Sequence, residues 1–175
     1  MATANPEGAV WASVTEHLGG RAAERALLNG FLDWNRAVIE RKVQGLATDD
    51  AKRVMTPTGL SPLGVVAHLA ATETAWFVET YAGTTVESIW DTYGSFKLLA
   101  EDTTESVLTE YRDACARSRE VVSAASSLDD LSVQEDEFRG NVTLRWILVH
   151  MIEETARHAG HLDIMREAID GRTGD

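Results

Sequence analysis

The sequence predicts an all-α fold, and three observations support that prediction. Four segments repeat apolar residues at the three- and four-residue spacing of an amphipathic helix. No run of alternating β-branched residues indicates a strand. Only 3 of the 175 residues are proline, and a chain of this length buries about 70% of its unfolded surface as one domain. We therefore expect residues 1–175 to form a single helical domain.

The first helix is predicted over residues 20–46. Its apolar stripe consists of Leu27, Phe31, Trp34 and Val38. The second helix is predicted to begin after Ser61, a favourable N-cap, with Pro62 in the first helical position, where the missing N–H costs nothing. It should continue to Tyr81, because Gly83 follows as a stop signal.

The third helix is predicted over residues 103–126, with Asp102 or Thr103 as its N-cap. Its inward face is expected to carry Leu108, Tyr111, Cys115 and Val122. The preceding connection, residues 82–102, is longer than an antiparallel hairpin needs. It is therefore predicted to be a crossover that lets helices two and three run parallel.

The fourth helix carries the most informative pattern. It is predicted to begin near Asn141 or Thr143 and to continue to Ile169, with Gly171 as its stop. At 100° per residue, four of its polar residues fall within an arc of about 80°. They are His150, Glu154, His158 and His161. The same or adjoining angles hold Ile147, Met151, Leu162, Met165 and Ile169. The polar stripe is therefore expected to face the core.

A carboxylate and several imidazoles inside a protein need hydrogen bonds or an ion, because burying them unpaired costs several kcal/mol. His68 shares a face of the second helix with Leu69 and Trp76, so it is also expected to point inward. We therefore predict a metal site between helices two and four, with buried hydrogen bonding as the alternative. Trp34 and Trp76 are expected in the core, and His17 is expected at the surface.

Charge and hydropathy exclude several classes of partner. Sixteen Lys and Arg against 28 Asp and Glu give a net charge of −12, which repels nucleic acid and anionic lipid. The longest apolar run, Leu63 to Ala67, is far shorter than the roughly 20 residues of a membrane span. The N-terminus has no basic region before Arg21 and no apolar signal segment. We therefore predict a cytoplasmic protein with neither nucleic-acid nor membrane partners.

Cysteine content limits the possible metal sites. Cys115 is the only cysteine, so an internal disulfide and a cysteine-rich metal cluster are excluded. A metal site in this chain must use histidine and carboxylate ligands. Cys115 itself lies on an apolar stripe and is expected to pack as a small hydrophobic residue.

Two segments resemble the DinB-like superfamily. They are GLSPLGVVAHLAATETAWF at residues 59–77 and LRWILVHMIEETARHAGHLDIMREAIDG at residues 144–171. The sequence is most similar to the actinobacterial branch that includes the mini-circle protein and mycothiol-dependent transferases, and the resemblance covers about residues 20–171. It implies a four-helix bundle with a long crossover between helices two and three. It also implies a homodimer and a divalent metal, commonly zinc or nickel, near one end of the core.

The resemblance also implies a ligand set. Many members of the superfamily use one histidine from helix two and a His-x-x-x-His pair from helix four. Here helix two has His68, and Glu154 stands four residues before His158, which is similar to the His/Glu/His set of mycothiol-dependent maleylpyruvate isomerase. The implied metal ligands are therefore His68, Glu154 and His158. His150 and His161, one turn to either side, are candidates for a catalytic base, a fourth ligand or a group that supports the ligands.

Two imidazoles and one carboxylate on Zn²⁺ leave at least one coordination position open. A thiol bound to such a cation loses its proton near neutral pH. We therefore predict a zinc-dependent transferase that activates mycothiol or a similar thiol for attack on an electrophile, with His161 or His150 moving the proton. The same ligand types also suit nickel or iron, and with iron the protein would be an oxygenase. A metal-dependent hydrolase is a further alternative. A metal-binding protein without turnover is the remaining alternative.

Overall fold

The computed structural model describes residues 22–87 and 89–173. Within these ranges the chain forms helices and no strand, which confirms the all-α prediction. The α-helices are α1 (Glu24–Val43), α2 (Thr48–Lys52), α3 (Pro62–Glu73), α4 (Trp90–Tyr93), α5 (Thr104–Ala124) and α6 (Leu144–Asp170). Helix α3 continues directly into a π-helix over Thr74–Tyr81. His17 lies outside the described residues.

The long helices begin and end at the residues that local chemistry favours. The Ser61 hydroxyl accepts a hydrogen bond from the Gly64 N–H at 3.1 Å and caps α3. Thr103 and Thr143, each one of two residues predicted for the role, cap α5 and α6. Gly171 ends α6 in the left-handed conformation, with φ 76°, which a glycine adopts without steric cost.

Helix α1 differs from the prediction in length and in its buried face. It ends at Val43, before the predicted end at residue 46, and a short helix, α2, follows. Phe31, predicted in the inward stripe, is 47% exposed. Val38 of the predicted stripe is buried, but the buried apolar face also carries Leu32 and Ile39, because α6 covers that side of α1. Spacing alone cannot indicate which of two adjoining faces a neighbour will cover.

The four long helices pack as a bundle in which α1 lies mainly against α6 and α3 against α5. All four residues predicted for the inward face of α5 are buried, among them Cys115. Trp34 and Trp76, expected in the core, are only partly buried at its edge. Between α1 and α3 the Arg36 guanidinium forms a buried two-point ion pair with Glu73, at 2.8 and 2.6 Å. No described helix has the length and apolarity to cross a membrane.

The crossover between the π-helix and α5 is held tightly against α3. A Cβ atom at Gly64 would lie 2.5 Å from the Phe96 carbonyl oxygen, so this close approach requires glycine. Phe96 itself has φ 65°, a left-handed conformation that is strained for a bulky residue. The consequence of this packing is that the Phe96 ring lies over His68.

Candidate metal centre

Three side chains from two helices converge where α3, α6 and the crossover meet. His68 from α3 and Glu154 and His158 from α6 each offer one ligand atom, and the three atoms lie within 4.8 Å of one another. Glu154 Oε1 is 3.4 Å from His68 Nε2 and 3.0 Å from His158 Nε2. Tetrahedral zinc with bonds of about 2.0–2.1 Å separates its ligand atoms by roughly 3.3 Å. The two distances from Glu154 are therefore close to the separation of ligands on one ion.

Helical spacing explains why the candidate ligands on α6 share a face. Glu154 and His158 are four residues apart, so their side chains lie one above the other on the side turned to α3. His158 is 4% exposed and His68 7% exposed, whereas Glu153 and Arg157 on the outer side of α6 face solvent. The candidate ligands are therefore shielded from bulk water. Exposed carboxylates and imidazoles are satisfied by water, whereas these groups need another partner.

The contacts of His68 determine where its proton lies. Its Nδ1 is 2.9 Å from the Gly94 carbonyl oxygen, which only accepts, so Nδ1 carries the proton. In the neutral ring, Nε2 then turns a lone pair toward the Glu154 carboxylate. The Thr72 hydroxyl, 3.4 Å from Nε2, donates to the His68 backbone carbonyl at 2.8 Å. Acceptors that face each other in a buried site require a cation between them, either a second ring proton or a metal ion.

His161 extends the site by one further imidazole. Its Nδ1 lies 3.2 Å from the Nδ1 of His158. When Nε2 of His158 faces the carboxylate and a metal, its Nδ1 carries the proton and donates to His161. This arrangement fixes the orientation of the His158 ring. It also occupies the nitrogen that His161 would need as a base.

The crossover supplies residues that the sequence analysis did not identify. The Phe96 ring stacks on His68 with centroids 4.0 Å apart and planes 23° from parallel. Trp90 approaches the same imidazole at 5.9 Å. The only sequence signal for these contacts is the aromatic content of residues 89–96, which does not show which ring meets which ligand. The sequence gives no signal for Gly94, because its contact with His68 is made by the backbone carbonyl, a group that every residue has.

Electrostatics keep the carboxylate of the site ionised. The neighbouring His158 and then His68 hold the pKa of Glu154 well below its usual range. Glu154 Oε2 also lies 3.3 Å from an Arg157 nitrogen. Partial burial, with the nearby His158, lowers the pKa of His161. The site therefore presents one negative charge to a bound cation.

Comparison with known proteins connects this geometry to a family. The family model described as mycothiol-S-transferase matches residues 27–171, which include all three candidate ligands. This chain belongs to the mycothiol-S-transferase family. The prediction of the mycothiol-dependent branch of the DinB-like proteins is thereby confirmed.

The fold of this mycothiol-S-transferase family member is also found in a solved structure. The crystal structure of a conserved protein from Enterococcus faecalis aligns with a TM-score of 0.63 and 14% sequence identity. The alignment covers 86% of this chain and 99% of that chain. At this identity the likeness shows the fold alone. Comparison with curated proteins gives no match.

Within this mycothiol-S-transferase fold, His150 lies apart from the three candidate ligands. Its ring stacks on Trp146 with centroids 5.0 Å apart and meets the edge of Trp76 at the same distance. Its Nδ1 lies 3.8 Å from Glu153. The structure thus brings His161 to the candidate metal centre and places His150 in an aromatic cluster one turn away.

An apolar cleft of about 180 Å³ opens beside His161. Its other lining residues are Met55, Thr56, Leu60, Ile164, Met165 and Ala168. Thioether and aliphatic groups dominate this lining, so the cleft suits an uncharged apolar group rather than a polar one. His161, whose Nδ1 lies 3.2 Å from His158 Nδ1, connects this cleft to the candidate metal centre.

Proposed function

We propose that this protein is a metal-dependent thiol S-transferase that uses mycothiol and holds a divalent ion, zinc, on His68, Glu154 and His158. The observation that carries the proposal is the convergence of two imidazole lone pairs and a carboxylate oxygen in a buried site. Membership of the mycothiol-S-transferase family supports the choice of thiol. Two imidazole nitrogens and one carboxylate oxygen are a typical ligand set for zinc. In such sites a hydrogen bond to the outer ring nitrogen commonly fixes the tautomer of each neutral imidazole.

The chain's own groups prepare the site in four ways. Gly94 fixes the tautomer of His68, His161 orients His158, and Arg157 approaches the second oxygen of Glu154. Phe96 and Trp90 cover His68 and exclude water from that side. A divalent cation bound there lowers the pKa of a coordinated thiol, so that the thiolate is present at neutral pH.

The proposed reaction needs no base from the protein. The thiol S–H bond breaks and the proton passes to water. A sulfur lone pair forms the new C–S bond at an electrophilic carbon, and the leaving group departs with the electron pair of its bond to that carbon. The apolar cleft beside His161 is the proposed location for the uncharged part of the electrophile. The role of His161 in this scheme is to position His158.

The experiment is a transfer assay on the purified, zinc-loaded protein. Mycothiol is mixed with a chlorobimane electrophile, and the fluorescent thioether is followed with time. We expect transfer by the wild type and its loss in Glu154→Ala and His68→Ala. Glu153→Ala is the matched control, because it removes an exposed carboxylate one residue away, and it should retain the wild-type rate.

Equal rates for zinc-loaded and metal-free protein would contradict the transferase proposal. Metal binding without transfer to any electrophile would instead favour a binding protein, and hydrolysis of an ester by the loaded protein would favour a hydrolase. The single domain over residues 1–175, the homodimer and the cytoplasmic location stay predictions.

A further inference from the structure

A polar groove runs between α1 and α5. Helix α1 packs mainly on α6 and α5 mainly on α3, and long side chains bridge the gap between α1 and α5, among them Arg112 and Glu40 at 2.8 Å. The groove encloses about 380 Å³, within the range of about 300–1,000 Å³ that small-molecule sites occupy. The candidate metal ligands come from α3 and α6, so the groove is a separate feature of the bundle.

Helical spacing directs polar residues of both helices into the groove. Four residues of α1 follow one another at intervals of four, four and three and therefore share one face. They are Arg25, Asn29, Asp33 and Arg36. Helix α5 contributes Arg119 and Ser123. The lining thus holds three guanidiniums and one carboxylate, the reverse of the balance in the whole chain, where 28 Asp and Glu stand against 16 Lys and Arg.

Two of the guanidiniums share the carboxylate of Asp33. Its Oδ1 accepts hydrogen bonds from Arg36 Nη1 and from Arg119 Nε, each at 2.9 Å. Arg36 is 4% exposed and is also held by both oxygens of the buried Glu73, so its charge is well compensated. Arg119 is half exposed and shares its counter-ion in the groove with Arg36. Its Nη groups therefore stay available to a further anion.

Arg25 forms no ion pair with a described carboxylate. Its Nη1 donates to the carbonyl oxygens of Val122 and Ala125 at 2.7 and 3.0 Å, and the carbonyls at a helix end carry only partial charge. The charge of Asp130 acts on Arg25 from beyond ion-pair distance, and its carboxylate already accepts a hydrogen bond from Ser126. Because a guanidinium has five N–H donors, Arg25 also keeps donors for a further partner.

The rest of the lining combines polar and apolar groups. Asn29 and Ser123 add an amide and a hydroxyl, neither of which is hydrogen-bonded to another described side chain or backbone group. The base of the groove is apolar and is formed by Leu32, Val122 and Leu148. The groove therefore suits a molecule with an anionic end and a hydrocarbon body rather than a bare ion.

We propose that this groove binds a small organic oxyanion. A guanidinium presents its N–H groups as a planar fork that matches carboxylate and phosphate oxygens, so the anionic group would lie between Arg25 and Arg119. The apolar body of the ligand would lie on the base of the groove. The proposal does not depend on the transfer reaction, because none of these residues belongs to the candidate metal centre.

The first test is a calorimetric titration of the full chain at constant ionic strength. The probes are benzoate, phenyl phosphate and benzamide, the last being the neutral isostere of benzoate. We expect saturable binding of at least one of the two anions, and benzamide should bind about tenfold more weakly or not at all. The tighter anion identifies whether the groove prefers carboxylate or phosphate. No saturable binding of either anion, or equal affinity for benzamide, would overturn the proposal.

The second test locates the bound anion. Arg119→Gln should raise its Kd about tenfold, and Arg119→Lys should also raise it, because lysine keeps the charge but lacks the fork. Arg117→Gln is the matched control, since it makes the same charge change on α5 at a similarly exposed residue that pairs with Glu110. It should bind like the wild type. Equal Kd for Arg119→Gln and Arg117→Gln would overturn the assignment to the groove.

A carboxylate or phosphate can also bind a metal ion, so both titrations are repeated on zinc-loaded and on chelator-treated protein. The Kd of the anion should be the same in the two preparations, and the effect of Arg119→Gln should persist in both. Binding that disappears with the metal would place the anion at the candidate metal centre and would overturn the proposal.

Discussion

The carbonyl oxygen of Gly94 accepts a hydrogen bond from His68 Nδ1 at 2.9 Å. This contact joins the crossover to α3 and leaves the other ring nitrogen of His68 facing Glu154. Fixing a ligand's tautomer through its outer nitrogen is how proteins tune metal-binding histidines. The geometry of the candidate metal centre therefore depends on how closely the crossover backbone can approach α3.

That approach is tested by Gly64→Ala. The new Cβ would lie 2.5 Å from the Phe96 carbonyl oxygen, which is backbone, so the crossover must move outward. We expect a loss of about 1–3 kcal/mol in the free energy of unfolding and a weaker affinity for zinc, measured by urea denaturation and by competition with a chelating dye. Gly160→Ala on α6 is the control, because its Cβ meets no atom within 4 Å. It should bind zinc normally.

The control should also gain up to about 1 kcal/mol of stability, because alanine replaces glycine within a helix. If Gly64→Ala bound zinc as tightly as Gly160→Ala, the crossover would not determine the position of His68.

A second prediction concerns His161. Because its Nδ1 lies 3.2 Å from His158 Nδ1, His161→Ala should weaken zinc affinity by about 10- to 100-fold, the usual effect of losing a group that orients a ligand. His150→Ala should leave zinc affinity unchanged, since His150 contacts Trp146 and Trp76 instead. Competition titration measures both. A variant at position 161 that keeps full affinity but loses turnover would return His161 to the role of a base.

The sequence predicts which residues form the candidate metal centre better than it predicts their surroundings. Periodicity and resemblance identify His68, Glu154 and His158, because a helix brings residues four apart to one face whatever surrounds it. Ser61 and Thr143 cap their helices through bonds to nearby N–H groups, so these ends are also predictable. Such signals depend on short stretches of chain.

The missed features all depend on contacts between distant segments. Phe96 meets His68 only because Gly64 admits the crossover backbone, a tertiary contact that no local pattern records. The exposure of Phe31 depends on which side of α1 is covered by α6.

A third prediction concerns Cys115, the only thiol. It is 3% exposed, and burial, with the nearby Glu73, raises the pKa of its thiol well above the usual range. The native protein should therefore react negligibly with an aromatic disulfide reagent, and one thiol should react after unfolding in guanidinium. Cys115→Ala should keep transfer activity. Rapid reaction of the native thiol would show that this part of the core opens.

A fourth prediction is a pH dependence of stability. Burial raises the pKa of Tyr93 to about 12, and its hydrogen bond to Asp102 contributes to the rise. Because the folded-state pKa lies above the unfolded value of about 10, the stability from this group is complete below pH 10. It is lost as pH rises through about 12. Tyr93→Phe should therefore lose less stability than the wild type between about pH 10 and 12.

Urea denaturation across that range measures the difference. Some dependence should persist in Tyr93→Phe, since burial also raises the pKa of Tyr81 and Tyr111. Identical pH dependence in the two proteins would show that the Tyr93 phenol is not shielded in the folded state.

The most direct measurement is the zinc content of tag-free protein after equilibrium dialysis against buffered zinc. The wild type should hold about one ion per chain, and the ion should add roughly 2.7 kcal/mol to the free energy of unfolding at free zinc a hundredfold above Kd. The triple variant His68→Ala, Glu154→Ala, His158→Ala should hold none and remain helical by circular dichroism. A triple variant that retains the wild-type zinc content would contradict the assignment of these three residues as the metal site.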